Sequence, residues 1–409
     1  MSLVLKGSVF DGEESLGRGA VVVDHTSGMI SAAGRDGEVD IPRGAEILGG
    51  EGFTVLPGLI DAHMHFFGSR EYDLMSWVTV PEPLVALRTV PQLSNLLAAG
   101  FTTVKEMGSK GGALIARAVR EGSVEGPTVL SCARSIGQTG GDDDPTSLPL
   151  DIAQRLSYSY FGDGPWECRK AVRLCLRDGA DFIKVYAATG STVEPFDSPF
   201  FHLRQQLTVE ELKAIVDEAH RAGVKVAAHA IGEESVANVV EAGADSIEHG
   251  MGLTPELAAQ IKKKGIYYVP TLGVFVTNPT LKAMIDDPSA PDPALARRHV
   301  KSDMALAKEA GLEVVCGTDF GGTDEQPHGK NCIEIEALAE TLGNREALVA
   351  ATSRAARSAG LETTGRVKPG CAADLVLVQG DPLKDIRTIR PERVVAVVKG
   401  GKLFRKGKS

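Results

Sequence analysis

The sequence predicts an α/β fold, a (β/α)8 TIM barrel joined to a small β-sandwich domain that both chain ends build. Two observations lead to this prediction. Short apolar strands alternate with amphipathic helices through the middle of the 409-residue chain, over about 300 residues, as in barrels of this class. The two ends instead show strands separated by glycine turns, without helical periodicity.

The two chain ends are predicted to pair in one small domain. The N-terminal strand candidates are Leu3–Phe10, Ala20–Asp24, Met29–Ala33 and Glu46–Val55. Near the C-terminus, Asp374–Val378 and Arg393–Lys399 are apolar runs, and a Gly-Asp-Pro turn sequence separates them. We therefore expect residues 1–56 and 364–409 to form the β-sandwich domain and residues 57–363 to form the barrel.

The middle of the chain contains eight strand candidates. They are Leu59–His65, Thr102–Met107, Thr128–Ser131, Phe182–Tyr186, Lys225–His229, Ser246–His249, Tyr267–Pro270 and Glu313–Asp319. A helix is predicted from Thr208 to Ala222, because Thr208 and Glu211 have capping-box spacing and Gly223 supplies a stop. A doubly wound open sheet is the alternative, but no glycine-rich nucleotide loop follows an early strand.

Composition limits the partners. The chain has 44 Lys and Arg against 54 Asp and Glu, a net charge of −10, without a dense basic cluster, so we expect no nucleic-acid or anionic-membrane partner. No apolar stretch has the length of a membrane span, and the N-terminus lacks a signal-peptide pattern. The six cysteines are scattered without a C-x-x-C pair, which predicts reduced thiols in a cytoplasmic protein.

Polar side chains recur on the barrel strands, mostly where the strands end. The first strand ends in His63 and His65, which point the same way because strand side chains alternate between faces. The other candidates on strands four, five, six and eight are Lys184, His229, His249 and Asp319. A barrel gathers these strand ends at one face, and imidazole and carboxylate bind zinc and related ions. We interpret the set as a mononuclear or binuclear metal centre; the alternative is buried histidines without an ion.

Lys184 requires its own interpretation, because a protonated lysine would be repelled by two divalent cations and is costly to bury. Reaction with CO2 would convert it to an anionic carbamate, which could bridge two metal ions. The alternatives are a neutral lysine, an outward-facing lysine, or a pair with Asp181.

Several motifs resemble those of one family across nearly the whole chain. They are Pro57 to His65, Ile183-Lys184-Val185, Ala228-His229-Ala230, Ile247-Glu248-His249-Gly250, Gly317-Thr318-Asp319 and Gly365 to Val376. Together they resemble the amidohydrolase superfamily, in its imidazolonepropionase-like and prolidase-like branch of metal-dependent amide hydrolases.

The resemblance implies a role for each candidate ligand. His63 and His65 would bind the more buried of two divalent metal ions, and His229 and His249 the second. Lys184 would be carboxylated and bridge the two ions, and Asp319 would bind metal and act as the proton shuttle. Zinc is expected, with cobalt and manganese left open. The resemblance also implies a small-molecule substrate and a homo-oligomer.

The implied reaction is hydrolysis of a C–N bond of the amide, carbamate or urea type. A metal-bound hydroxide would attack the carbonyl carbon, while Asp319 takes its proton and passes it to the leaving nitrogen. Three alternatives stay open: an Xaa-amino-acid dipeptidase or N-acyl amino acid hydrolase, a mononuclear deaminase, and a phosphotriesterase or lactonase. A deaminase would usually carry an acid near the strand-five histidine, and Glu233 lies four residues beyond His229.

Two departures from the family pattern concern the substrate. Asp142 stands where the family loop commonly has histidine, and Ile231 where dipeptidase relatives commonly have tyrosine. Both changes should weaken recognition of a substrate carboxylate, so we favour a more apolar substrate over a standard Xaa-Arg/Lys dipeptide. The acidic run Asp142 to Asp144 could instead be a solvated turn or attract a cationic substrate. The predicted substrate contacts are Asp142, Tyr186, Ile231 and His328.

Overall fold

The structure is a computed structural model that describes residues 2–188, 205–277 and 298–404. Three β-sheets and the helices between their strands make up this part of the chain. Within these ranges, no helix combines the length and the apolar character needed to cross a membrane.

Strands from both chain ends join in one seven-stranded sheet. The strands are β1 (Leu3–Phe10), β2 (Ser15–Asp24), β3 (Met29–Arg35), β4 (Glu46–Pro57), β14 (Leu375–Gln379), β15 (Val394–Lys399) and β16 (Lys402–Phe404). Their order is β16-β15-β14-β4-β1-β2-β3, and β14 pairs antiparallel with β4. The predicted pairing of the two chain ends is thus present as a single sheet, whereas the sandwich and its domain boundaries stay predictions.

The long strand β4 connects this sheet to the middle of the chain. Its register against β1 shifts between Lys6 and Ser8, where Gly49 adopts φ 84° and lies against the main chain of Lys6. A side chain at residue 49 would collide with that carbonyl, so the bulge requires glycine. The second half of β4 then leads directly into the first strand of the middle region.

The middle strands form two parallel sheets. The strands are β5 (Leu59–Met64), β6 (Phe101–Glu106), β7 (Thr128–Ser131), β8 (Ser135–Gly137), β9 (Ser159–Phe161), β10 (Ile183–Tyr186), β11 (Val226–Ile231), β12 (Ser246–Met251) and β13 (Tyr267–Val269). The sheet orders are β5-β6-β7 and β13-β12-β11-β10-β8-β9. Two of these strands, β8 and β9, are three residues long and were not predicted from the sequence.

Helices separate most of these strands. They are α1 (Leu74–Thr79), α2 (Glu82–Ala98), α3 (Gly112–Arg120), α4 (Leu150–Leu156), α5 (Pro165–Arg177), α6 (Val209–Arg221), α7 (Glu233–Ala242), α8 (Pro255–Lys264), α9 (Leu272–Thr277), α10 (Met304–Ala310), α11 (Cys332–Leu342), α12 (Asn344–Ala350) and α13 (Ser353–Ser358). The predicted helix after Thr208 is confirmed: Thr208 caps α6 and makes a reciprocal capping box with Glu211.

The eighth predicted strand differs from the prediction. Residues 313–320 make only isolated parallel bridges, from Val314 to Tyr268 and from Phe320 to Met64. Between these bridges Gly317 packs closely against β5, and a side chain there would lie 2.7 Å from Cβ of His63. The segment nevertheless lies between β13 and β5, and closure of the sheets into one barrel stays a prediction.

Candidate active site

One cavity contains the two histidines of β5. His63 and His65 are buried, and their ring centroids lie 5.6 Å apart. Nδ1 of His63 donates to the carboxylate of Glu248 at 2.7 Å, and Nδ1 of His65 donates to the main-chain carbonyl of Gly108 at 2.8 Å. Because each Nδ1 is engaged, Nε2 is the atom that remains for a metal ion.

Two further histidines, from β11 and β12, extend the pair into a row. The ring centroid of His249 lies 5.2 Å from that of His63 and 4.6 Å from that of His229. Burial lowers the pKa of both His229 and His249 well below the usual imidazole range. Both rings are therefore neutral at pH 7, which is the form that binds metal.

An unusual backbone conformation brings His249 into this row. Glu248 points inward with Ser246, whose hydroxyl donates to it, so a regular strand would point His249 to the opposite face. His249 instead has φ 65°, and Asp319 has φ 60°. Left-handed φ in residues other than glycine costs about 1–3 kcal/mol and is concentrated at functional sites. Two strained positions at two predicted ligands thus support a functional interpretation of this cavity.

Lys184 lies on β10 and lines the same cavity with 1% of its surface exposed. Its Nζ is 5.2 Å from the ring centroid of Tyr186. The alternative pairing with Asp181 is wrong, because these two described residues form no ion pair within 4.0 Å, and Asp181 instead accepts from Arg120 at 2.9 Å. An outward-facing Lys184 is likewise wrong. Burial lowers the pKa of the Lys184 ammonium, which favours the uncharged amine.

Asp319 also lines the cavity and lies near the end of residues 313–320, the eighth predicted strand. Its Oδ1 lies 3.2 Å from Nε2 of His63 and 3.3 Å from Nε2 of His65. One ligand atom from each of these three residues falls within 4.8 Å of the others. Burial raises the pKa of Asp319, but its interactions with His63, His65 and His249 together outweigh burial and leave the pKa well below the usual value. The side chain is therefore an ionised carboxylate.

Two buried imidazole nitrogens without hydrogen-bond partners also indicate that these residues suit a metal centre. Nε2 of His63 and Nε2 of His229 are both buried, and neither makes a hydrogen bond within the described ranges. Buried polar atoms without a partner are rare and costly. A divalent ion at each position would satisfy these lone pairs, so the donor set suits such ions.

Asp61 is a residue of this region that sequence reasoning missed. Its carboxylate accepts from the hydroxyl of Thr318 and the side-chain amide of Asn331, both at 2.7 Å, and from the main-chain N–H of His63 at 3.1 Å. These bonds tie β5 to the segment that carries Asp319. An acidic residue within the apolar run before His63 was the available signal.

Glu248 was also missed, although it is fully buried next to a predicted ligand. Burial raises the pKa of Glu248, but the hydrogen bond from His63 and the nearby positive charges outweigh burial and lower the pKa to about 2. Glu248 is therefore ionised in the interior. A charged residue in the middle of the apolar strand β12 was the signal that could have identified it.

Three of the four predicted substrate contacts line the cavity: Asp142, Tyr186 and Ile231. His328 does not, because it lies behind β5, where its Nε2 donates to the main-chain carbonyl of His65 at 2.8 Å. The prediction for His328 is therefore corrected: it supports the backbone of a predicted ligand. A loop position after strand eight gave no indication of this contact.

The acidic run is not a solvated turn. Asp143 is buried and accepts from the hydroxyls of Ser135 at 2.9 Å and Tyr158 at 2.8 Å. Asp144 is buried as well and accepts from the main-chain N–H of Gly140 at 2.8 Å. Asp142 is half-buried at the cavity. Asp143 and Asp144 are therefore bonded to neighbouring protein groups, whereas Asp142 lines the cavity as the predicted substrate contact.

The rest of the cavity wall is largely aromatic and apolar. The lining residues of this kind are Phe67, Tyr72, Trp77, Tyr158, Tyr186, Ile231, Met251, Val274 and Phe275. No arginine is among the described lining residues. The ring of Phe67 stacks between His65, at a centroid distance of 4.5 Å, and Trp77, at 3.8 Å. The wall thus presents aromatic surface next to the predicted ligands.

Buried histidines and a carboxylate that line one cavity are a donor set typical of metal-dependent hydrolases. Comparison with known proteins agrees with this class and gives the family. The model of the amidohydrolase family matches residues 54–404, and the chain belongs to that family.

Three relatives show how close the similarity is. Ochratoxinase of Aspergillus niger is 33% identical over 376 residues, which cover 86% of this chain and 76% of the relative. Its crystal structure has a TM-score of 0.85, with 30% identity over 100% of this chain and 97% of that one. A prolidase complexed with N-methylphosphonate-L-proline has a TM-score of 0.85, with 31% identity over 99% of this chain and 100% of that one.

Imidazolonepropionase of Pyrobaculum arsenaticum is 33% identical over 172 residues, or 41% of this chain and 39% of the relative. The predicted resemblance to the imidazolonepropionase-like and prolidase-like branch is confirmed by these relatives. The chain is therefore a metal-dependent hydrolase that acts on amide-type bonds.

Proposed function

We propose that this enzyme is a binuclear metal-dependent hydrolase that cleaves a C–N bond of the amide, carbamate or urea type. The single observation that carries the proposal is the row of four buried imidazoles, with Lys184 and Asp319 in the same cavity. Six candidate ligands are more than one ion requires.

The six residues divide into two groups. His63 and His65 would hold one ion with Asp319, and His229 and His249 the other, with carboxylated Lys184 between them. Bound divalent ions, most plausibly zinc with cobalt or manganese as alternatives, would lower the pKa of a water molecule and polarise the substrate carbonyl. The two buried, unpartnered Nε2 atoms support one ion in each group.

The burial of Lys184 supports its modification. Its uncharged amine can attack the carbon of CO2, so that an N–C bond forms, one C=O π bond opens to give the carboxylate, and one proton of the nitrogen passes to water. The product carries one negative charge and two oxygens, which would offset part of the charge of two divalent ions. A cationic lysine at this place would be repelled by the same ions.

Asp319 would move the proton during hydrolysis. The carboxylate is ionised and lies at the entrance of the metal group, with 18% of its side chain exposed to the cavity. It would take the proton of the attacking water as the new C–O bond forms. It would then deliver that proton to the leaving nitrogen as the C–N bond breaks.

The cavity wall supports a substrate with an apolar or aromatic acyl or amine part. Aromatic and aliphatic side chains dominate the lining, and Ile231 is one of them. The described lining offers no arginine for a substrate carboxylate, and Asp142 would repel one. The comparisons support the amide-type bond: the family is the amidohydrolase family, and ochratoxinase, whose name indicates action on ochratoxin, is 33% identical to this chain.

A second candidate function is an Xaa-amino-acid dipeptidase or N-acyl amino acid hydrolase. The similarity to a prolidase that binds a proline phosphonate favours it. The mononuclear deaminase alternative has less support, because Glu233 is exposed at the start of α7. We further propose that the protein is cytoplasmic and forms a homo-oligomer. Within each chain, residues 1–56 and 364–409 would form a separate β-sandwich domain, and residues 57–363 a closed (β/α)8 barrel.

A substrate panel tests the proposal. It contains N-acyl aromatic amides, N-acyl amino acids, Xaa-Pro and Xaa-Arg dipeptides, phenylureas, carbamates, a phosphotriester and a lactone. We expect the highest kcat/KM on an amide, carbamate or urea with an aromatic part. Activity confined to phosphotriesters or lactones would contradict the proposal.

The variant Ile231→Tyr refines this test, with Ile231→Val as the matched control. Tyrosine adds a hydroxyl that can donate to a substrate carboxylate, so the KM for dipeptides should fall by about 10-fold relative to the parent, as for one added charge-assisted hydrogen bond. Valine keeps the apolar wall and should leave this KM within about 3-fold, since it removes one methylene.

A further inference from the structure

Glu248 is placed to act on the metal centre through His63. The residue lies on β12 with 0% exposure. Its Oε2 accepts from Nδ1 of His63 at 2.7 Å, and its Oε1 accepts from the hydroxyl of Ser246 at 2.5 Å. Both carboxylate oxygens are thus engaged, and the side chain is fixed against the ring.

Nδ1 of His65 and Nδ1 of His249 have neutral hydrogen-bond partners. Nδ1 of His65 faces a main-chain carbonyl, and Nδ1 of His249 lies 2.8 Å from the hydroxyl of Thr271. A carboxylate acceptor makes the imidazole more electron-rich at Nε2 and fixes the tautomer more strongly than a neutral acceptor does. His63 therefore differs from His65 and His249 in having an ionised partner.

A buried carboxylate needs compensation, and the surrounding side chains provide it. Lys105 of β6 is buried, with its Nζ 4.4 Å from the ring centroid of Phe182. Burial lowers the pKa of the Lys105 ammonium, and the charge of Glu248 acts against that shift, while the charge of Lys105 lowers the pKa of Glu248. Neither Lys105 nor Glu248 lines the cavity. Glu248 and Lys105 therefore do not contact a substrate in the cavity. Glu248 acts on His63, the predicted metal ligand that separates it from the cavity.

We propose that Glu248 is a positioning residue that fixes the ring and tautomer of His63 and sets the metal affinity of the His63–His65 position. This inference rests on the proposed metal-dependent function. It assigns a role to a residue outside the six predicted ligands and predicts unequal affinities for the two ions. The His63–His65 position should release its ion last.

The test measures metal binding by Glu248→Gln, which preserves shape and removes the charge. We expect the Kd of the tighter ion, measured by zinc competition with a chelating dye, to rise about 10–100-fold. The variant Glu248→Asp keeps the charge but shortens the side chain, and its Kd should lie between those of the parent and Glu248→Gln. A Kd within twofold of the parent in both variants would overturn the proposal.

Two matched variants separate this role from a structural one. Glu334 is also fully buried and accepts from the main-chain N–H of Gly273, but burial raises its pKa well above the usual value, which favours the neutral acid. Glu334→Gln therefore makes the same change of shape without removing a buried charge and should leave the Kd of the tighter ion unchanged; an equal rise would mean that any buried Glu-to-Gln replacement weakens binding. Thr271→Val removes the hydroxyl next to Nδ1 of His249 and should instead raise the Kd of the second, weaker-bound ion. If the parent itself binds no metal, the proposed function fails, whereas tight binding unaffected by Glu248→Gln overturns this inference alone.

Discussion

Asp319→Asn is expected to lower kcat by about 10²–10⁴-fold, the range for loss of a general acid–base group, while most of the bound metal is retained. Asparagine keeps an oxygen near the Nε2 atoms of His63 and His65, which lie 3.2 and 3.3 Å from the present carboxylate. It cannot take a proton from water or return one to nitrogen. Steady-state kinetics together with metal analysis of the same preparation measure both effects.

A matched control for this variant is Asp324→Asn. Asp324 is an exposed carboxylate five residues further along the same loop, so its replacement should leave kcat within twofold of the parent. A near-parent kcat for Asp319→Asn would show that another group carries the proton. Loss of metal in proportion to activity would assign Asp319 to binding alone.

Lys184→Ala is expected to lower kcat by about 10²–10³-fold or more, because it removes the group that would hold the two ions in one site. The metal content should fall from two ions per chain to one or fewer. Formate or acetate should restore part of the activity, since a small carboxylate fits the space that the side chain leaves and supplies the two oxygens. Metal analysis and kinetics with and without these acids measure the outcome.

Lys105→Ala provides the control for rescue. Lys105 is a second buried lysine, but it does not line the cavity. Small carboxylic acids should therefore leave its activity unchanged. Two tightly bound ions in Lys184→Ala, or an equal acid effect in Lys105→Ala, would contradict a carbamate bridge at Lys184.

Much of the fold was predictable because it depends on local patterns. Apolar runs separated by glycine turns mark the strands of both chain ends, and the capping-box spacing of Thr208 and Glu211 identified α6 nearly to the residue. The strand-end histidines were predictable for a related reason. Parallel strands place their carboxyl ends at one edge, so ligand-type residues there converge whatever their separation along the chain.

The remaining features depend on contacts between distant segments. The positive φ of His249, the burial of Asp143 among Ser135 and Tyr158, and the position of His328 behind β5 all follow from tertiary packing. Single-sequence patterns report which side chains can bind metal. They do not report which of the neighbouring residues support those side chains.

The central claim is that two bound ions per chain are needed for C–N bond cleavage. Its most direct test is a titration of chelator-treated, metal-free enzyme with zinc, following hydrolysis of the best amide, carbamate or urea substrate of the panel. We predict that the metal-free enzyme is inactive and that activity rises to a plateau at two zinc ions per chain. Full activity without metal would contradict the account, and a plateau at one ion per chain would contradict the binuclear centre.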